Sequence, residues 1–199
     1  MSLLAARAAR PIVEQPGRSL GWWGSVAGIV ALAHFVGGIL VAAVYIRAAS
    51  ASWPPQPGPA PGMVESGVAV AVTIVAAVAA TVADRRVRRG GSLGELLLVL
   101  TGVLAVIAAA LRGSVTVFSD WPVTDHAFWS VRWALGAMDL VLLGTLAVIA
   151  LFAALQVGRG LFHPGEHAEL AIVTLWSWSI AVFVLASWSV AMATSVWWG

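Results

Sequence analysis

Apolar residues run along this chain in five long blocks, and polar residues fall almost entirely between them. The blocks cover roughly Trp22 to Ile46, Gly67 to Ala83, Leu93 to Leu111, Phe128 to Val157 and Ala168 to Trp198. A run of 18 or more apolar residues is long enough to cross the hydrocarbon of a bilayer as a helix. The pattern therefore predicts an all-α membrane protein, a bundle of five transmembrane helices over residues 22–199 behind a polar N-terminal tail, residues 1–21. The fourth block exceeds the bilayer and must tilt or project.

The connections have distinct chemistries. Ala48 to Gly62 holds Trp53-Pro54-Pro55 and then Pro57, Pro59 and Pro61, which rules out a helix and predicts an interfacial loop. Asp84 to Gly91 predicts a tight basic loop, and Ser92 with Glu95 has the spacing of a capping box opening the third helix. Arg112 to His126 predicts a second polar loop. Gly158 to Gly165 predicts a short turn, with Pro164, Glu166 and Glu169 suited to a helix start. Met1 to Arg18, broken by Pro11 and Pro16, is too polar for a cleaved signal peptide, so the first span is expected to act as its own insertion signal.

Composition agrees with this picture. Sixty per cent of residues are apolar, 10% are charged and the mean hydropathy is +0.93. A soluble domain carries about a quarter charged residues. All 11 basic residues are arginine, and those between spans concentrate in alternate connections, so the basic balance does not point to nucleic acid. Arg7, Arg10, Arg18, the four arginines of Asp84 to Gly91, and Arg159 fall on one side under the positive-inside rule. That predicts a cytoplasmic N-terminus and an external C-terminus, in a cell's inner (plasma) membrane. Cysteine is absent, which excludes disulfides and thiolate chemistry.

Two ionisable residues lie near the middle of spans. His34 is near the middle of the first and Asp139 near the middle of the fourth, at matched depth on these boundaries. Groups at such depth are either proton-handling sites or interhelical hydrogen-bonding partners, and both readings stay open. If the spans meet, His34 and Asp139 form a polar pair that could buffer protons. Arg132, one turn into the fourth span, is expected to snorkel outward. Gly24 and Gly28 form a GxxxG pair, continued by Ala33 and Gly37, which favours close helix packing. His163, Glu166 and His167 have metal-ligand side chains, but no second ligand group accompanies them, so no metal site is expected. His34 is the lone histidine at membrane depth, which excludes bis-histidine haem within one chain. No phosphate-binding glycine loop and no nucleophile elbow is present, and no catalytic residue is identified.

One pattern resembles a known family. Ala43-Val44-Tyr45-Ile46-Arg47 followed by Trp53-Pro54-Pro55 resembles subunit III of the haem-copper cytochrome c oxidases, in which a helix ending in an aromatic-and-arginine segment leads into an external Trp-Pro-Pro. Asp125 to Gly136, Gly158-Arg159-Gly160-Leu161-Phe162 with His167, and Trp176 are similar to further stretches of that family. The chain departs from it at three places: His34 stands where the family has a glutamate, Met138 to Val141 where it has His-Gly-x-His, and Ser177 where it has a histidine. The five-helix form lacks the two extra N-terminal helices of larger members, so the resemblance does not carry their lipid-filled cleft over to it.

The resemblance implies a divergent, non-catalytic subunit of an aerobic respiratory terminal oxidase. Such a subunit packs on catalytic subunit I and other respiratory-complex subunits and supports assembly, stability and proton uptake. Haem and copper are then expected in partner chains and none in this one, with phospholipid as the other associate. The chain would be no enzyme alone, only part of a proton-translocating oxidoreductase. An accessory subunit of nitric oxide reductase and a stand-alone small transporter are the alternatives. The transporter reading lacks the repeats or paired broken helices expected of one.

Overall fold

The computed structural model describes residues 20–50, 53, 62–91, 93–120, 123–161 and 168–196. Among them the chain is helical without strands, in the order α1 (Leu20–Ala49), α2 (Met63–Arg88), α3 (Gly94–Ser114), α4 (Ala127–Gly158) and α5 (Ala168–Val196). Each helix is long and apolar enough to cross a membrane, as a multi-pass membrane protein requires. The N-terminal tail, Pro54, Pro55 and the rest of the proline loop, and the His163–His167 segment with Pro164 lie outside the described residues.

Several predicted boundaries move: α1 runs on to Ala49, α2 begins at Met63 rather than Gly67, and α3 takes in Arg112 and ends at Ser114. The second helix continues through Arg88, so most of the basic segment is helical rather than loop. An ion pair one turn apart, Arg88 Nε to Asp84 Oδ1 at 2.8 Å, spans this extension. The chain then reverses at Gly90, whose φ of 71° is open to glycine at little cost. Its N–H and that of Gly91 donate to the carbonyls of Val87 and Arg86, closing the helix end. Gly160, at φ 67°, ends α4 in the same way. The capping box expected at the start of α3 rests on Ser92, which lies outside the described residues, and its other member is placed elsewhere. Leu93 occupies the cap position without a side-chain hydrogen bond, and Glu95 lies against Gly158 at the end of α4.

Small residues set the packing. The inward face of α2 is Ser66, Ala69, Thr73, Ala76, Ala77, Ala80 and Ala83, all buried, so little side-chain bulk holds α3 away. Thr101 Oγ1 of α3 reaches the Ala76 carbonyl of α2 at 3.4 Å while also bonding its own helix. On its other side α3 meets α4 as closely: a Cβ on Gly102 would sit 2.7 Å from Leu151 Cγ. The fifth helix closes the bundle against α2, α4 and α1. Two of its tryptophans tie it to α2 through indole N–H groups, Trp178 to Thr81 Oγ1 at 3.0 Å and Trp188 to the Met63 carbonyl at 3.3 Å.

The first helix is attached differently. It packs on α5 and, less extensively, α4, and only Val36 and Ala43 are buried. The expected GxxxG pair is divided: Gly28 receives the Trp176 ring of α5, 3.6 Å from where a Cβ would stand, whereas Gly24 has open space.

Candidate functional site: a buried ion pair among three helices

The five helices run alternately, so one end of the bundle gathers the C-terminal ends of α1, α3 and α5 with the N-terminal ends of α2 and α4. Trp53 marks this end. Its indole N–H donates to the Thr194 carbonyl of α5 at 2.7 Å, and its ring meets Phe128 of α4 edge-on at 5.1 Å between centroids. Arg47 stands over the same ring at 6.0 Å. His126 caps α4, its Nδ1 accepting from the Phe128 N–H. Tyr45 faces away from the bundle.

Below this end lies the most deeply buried charge in the described chain. Asp139 is completely buried, and Arg112 is 2% exposed. Arg112 Nε donates to Asp139 Oδ2 at 2.7 Å. Ser187 of α5 donates to the same oxygen at 2.9 Å and accepts from Arg112 Nη2 at 3.3 Å. Three helices thus contribute one side chain each to a closed triangle. The remaining oxygen, Asp139 Oδ1, is buried and has no hydrogen-bond partner among the described residues. Removing two such charges from water is costly, and their attraction offsets that cost only where the geometry is close and hydrogen bonds are added, as here.

The triangle is built by local sequence. Arg112 sits two residues before the end of α3, with Gly113 and Ser114 behind it. The chain folds back after Gly113, whose carbonyl accepts from the N–H groups of Thr116, Val117 and Phe118. Thr116, itself buried, bonds the Arg112 carbonyl and lies against Gly136, where a Cβ would collide with it. Gly136 therefore admits the returning loop against α4 three residues from Asp139. Arg132, one turn further up α4, is buried too. Its guanidinium lies 5.7 Å over the Phe128 ring and approaches Met63 Sδ at 3.3 Å.

These positions revise three expectations. Asp139 is a buried polar group with a partner, but the partner is Arg112 and not His34. His34 is exposed on α1, and its Nδ1 bonds its own helix at the Val30 carbonyl, 2.8 Å away. Because Arg112 belongs to the last turn of α3, the pair lies toward one end of that span rather than at its middle. Arg132 does not snorkel outward. Its aliphatic stem and head are covered by the bundle.

The other positions singled out by the family resemblance fare variously. Trp176 is half-buried against Gly28, and Ser177, where the family has a histidine, is buried and bonds the Val173 carbonyl. Met138 is in the core and Val141 faces outward. Among the described residues no three His, Asp or Glu side chains converge to hold a metal ion. The triangle can fix three helices in register, and the free Oδ1 can accept a hydrogen bond or carry a proton. Comparison of the chain with protein-family models finds no match, and no curated protein matches it.

Proposed function

We propose that the chain is a non-catalytic, subunit III-like component of a haem-copper terminal oxidase, seated in the plasma membrane with its N-terminus in the cytoplasm. The observation that carries this reading is the Trp53 anchor. Of the residues that carry the family resemblance, Trp53 and Arg47 join the bundle: Trp53 ties the end of α1 to α5 and α4 under Arg47. The basic cluster of Arg85, Arg86, Arg88 and Arg89 lies at the opposite end and, by the positive-inside rule, supports the orientation. In this reading haem and copper reside in the partner chains, and the Arg112–Asp139–Ser187 triangle holds the subunit together.

A difference spectrum and a subunit inventory of the gently solubilised complex test the proposal. It requires haem absorbance and a catalytic haem-copper chain in the same particle, and no Soret band when this chain is expressed alone. A nitric oxide reductase in that particle would select the related accessory role. A stand-alone transporter is a second reading, favoured by the buried ion pair itself, because charges inside a bundle mark ion and proton pathways. A haem-free particle containing this chain alone would select it. Reporter fusions after Gly199 and within Arg85 to Gly91 should report opposite sides of the membrane, the first external and the second cytoplasmic.

A further inference from the structure

We infer that the outward face of α1 seats a transmembrane helix of a different chain, and that this helix presents a hydrogen-bond donor at the depth of His34. The inference rests on the proposal that the chain is one subunit of a membrane complex, and it names the surface by which the subunit joins.

Two observations carry it. The first is a seam. Ala27, Ala31, His34, Gly38, Val41 and Tyr45 alternate at spacings of four and three residues, and every one is exposed. This is the repeat of helices that cross at about 20° with side chains interlocking. Val36, which faces the bundle, lies about 200° around the helix from His34 at 100° per residue, so the seam is the face turned away from the rest of the chain. A Cβ on Gly38 would meet nothing within 4 Å, and with Ala27 and Ala31 it leaves room for a second backbone to come close.

The second observation says what must lie there. The Val30 carbonyl can only accept, so His34 Nδ1 donates to it. In the uncharged ring Nε2 is then an acceptor, and it has no hydrogen bond among the described residues. Lipid tails have no donor to give it. A second copy of this chain related by a two-fold axis along the membrane normal would bring His34 to His34, acceptor against acceptor. A serine or threonine hydroxyl or a tryptophan indole on another chain supplies what is missing. A free Nε2 with Nδ1 held by a carbonyl is also the arrangement of a metal-ligating histidine, and the experiment separates that case.

The chain contains no cysteine, so an introduced cysteine is its sole thiol. Ala31→Cys and Gly38→Cys, with Val148→Cys on the exposed face of α4 as control, would carry a thiol-linked photo-crosslinker in native membranes. The expected result is an adduct from the two α1 positions, not the control, mapped by mass spectrometry to a transmembrane segment of one identified chain. His34→Leu should lower recovery of that chain about threefold to fifteenfold, the range one interhelical hydrogen bond in a bilayer supports. His34→Gln, which restores an acceptor, should recover it. The thermal unfolding of the isolated His34→Leu chain should be unchanged. An adduct at twice the mass of this chain overturns the inference in favour of a second copy. Labelling of both α1 cysteines by a lipid-phase reagent without any protein adduct overturns it in favour of lipid. Failure of His34→Gln together with loss of a metal or haem signal overturns the donor in favour of a coordinated ion. If the crosslinked chain is no haem-copper subunit, the seam stands and the oxidase reading falls. If the oxidase co-purifies but the seam yields no adduct, the reverse holds.

Discussion

The α2–α3–α4 layer and α1 solve the same problem, crossing a bilayer, with opposite attachments. In the layer, alanine and glycine are turned inward, so backbones meet and a charged pair is closed off from lipid. On α1, Ala27, Ala31 and Gly38 are turned outward, and His34 goes with them, while Gly28 and Ala43 face the bundle. Within the layer, small residues serve the chain's own fold. On α1, Ala27, Ala31 and Gly38 touch none of that fold and are available to something else. The comparison teaches that composition alone does not say whether a small-residue stripe is internal glue or an external face. The position of the bulky partner, Leu151 against Gly102 or open space beside Gly38, decides it.

The contrast breaks most visibly at the ionisable residues. Asp139→Leu leaves Arg112 charged and buried without its counter-charge, and should destabilise the detergent-solubilised chain by about 3–5 kcal/mol in thermal or denaturant unfolding. Adding Arg112→Met should restore most of that loss, because an apolar pair of similar volume no longer needs the carboxylate. His34→Leu in the same assay should change nothing; equal losses at both sites would erase the distinction between the two regions. Next come the glycines. Gly102→Val and Gly136→Val force side chains into Leu151 and Thr116 and should each cost about 1–3 kcal/mol as overpacked cores do, whereas Gly38→Val should be neutral in the isolated chain. A smaller effect is expected at the anchor: Trp53→Phe keeps an aromatic ring beside Phe128 but loses the bond to Thr194, about 1 kcal/mol. Smallest of all is Arg88→Ala, which removes a partly exposed pair one helical turn apart, a loss of about 0.3–0.5 kcal/mol that added salt should abolish.

The five helices were legible because bilayer-length apolar runs leave few alternatives, and the closing turns at Gly90 and Gly160 were marked by glycine beside arginine. The ion pair was not. Arg112 follows an apolar run and precedes Gly113-Ser114, a context in which arginine reads as the flank of a span. Only the reversal held by the Gly113 carbonyl reveals that the flank is covered. Depth along a helix can be counted from sequence, and His34 and Asp139 were matched on it. The face around the helix is what decides contact, and nothing in α1's nearly uniform hydrophobicity indicates which side meets α5. One signal was available for Arg112 and Arg132: both lie at the end of the bundle that positive-inside counting leaves poor in arginine, where a basic residue calls for a specific partner.

That α1 leans on α5 and α4 also dictates when it can settle during synthesis. Its supports, α4 and α5, are made after α2 and α3, and about 120 residues separate the end of α1 from the start of α5. At ribosomal speed that is an interval on the order of ten seconds, during which the first helix has entered the lipid while α2 and α3 can already pair with each other. The outward seam and the inward Val36–Ala43 stripe are both uncovered for that time. If a partner helix takes the seam as proposed, one already resident in the membrane meets α1 before α5 does, and docking and finishing the fold become competing events on the nascent chain.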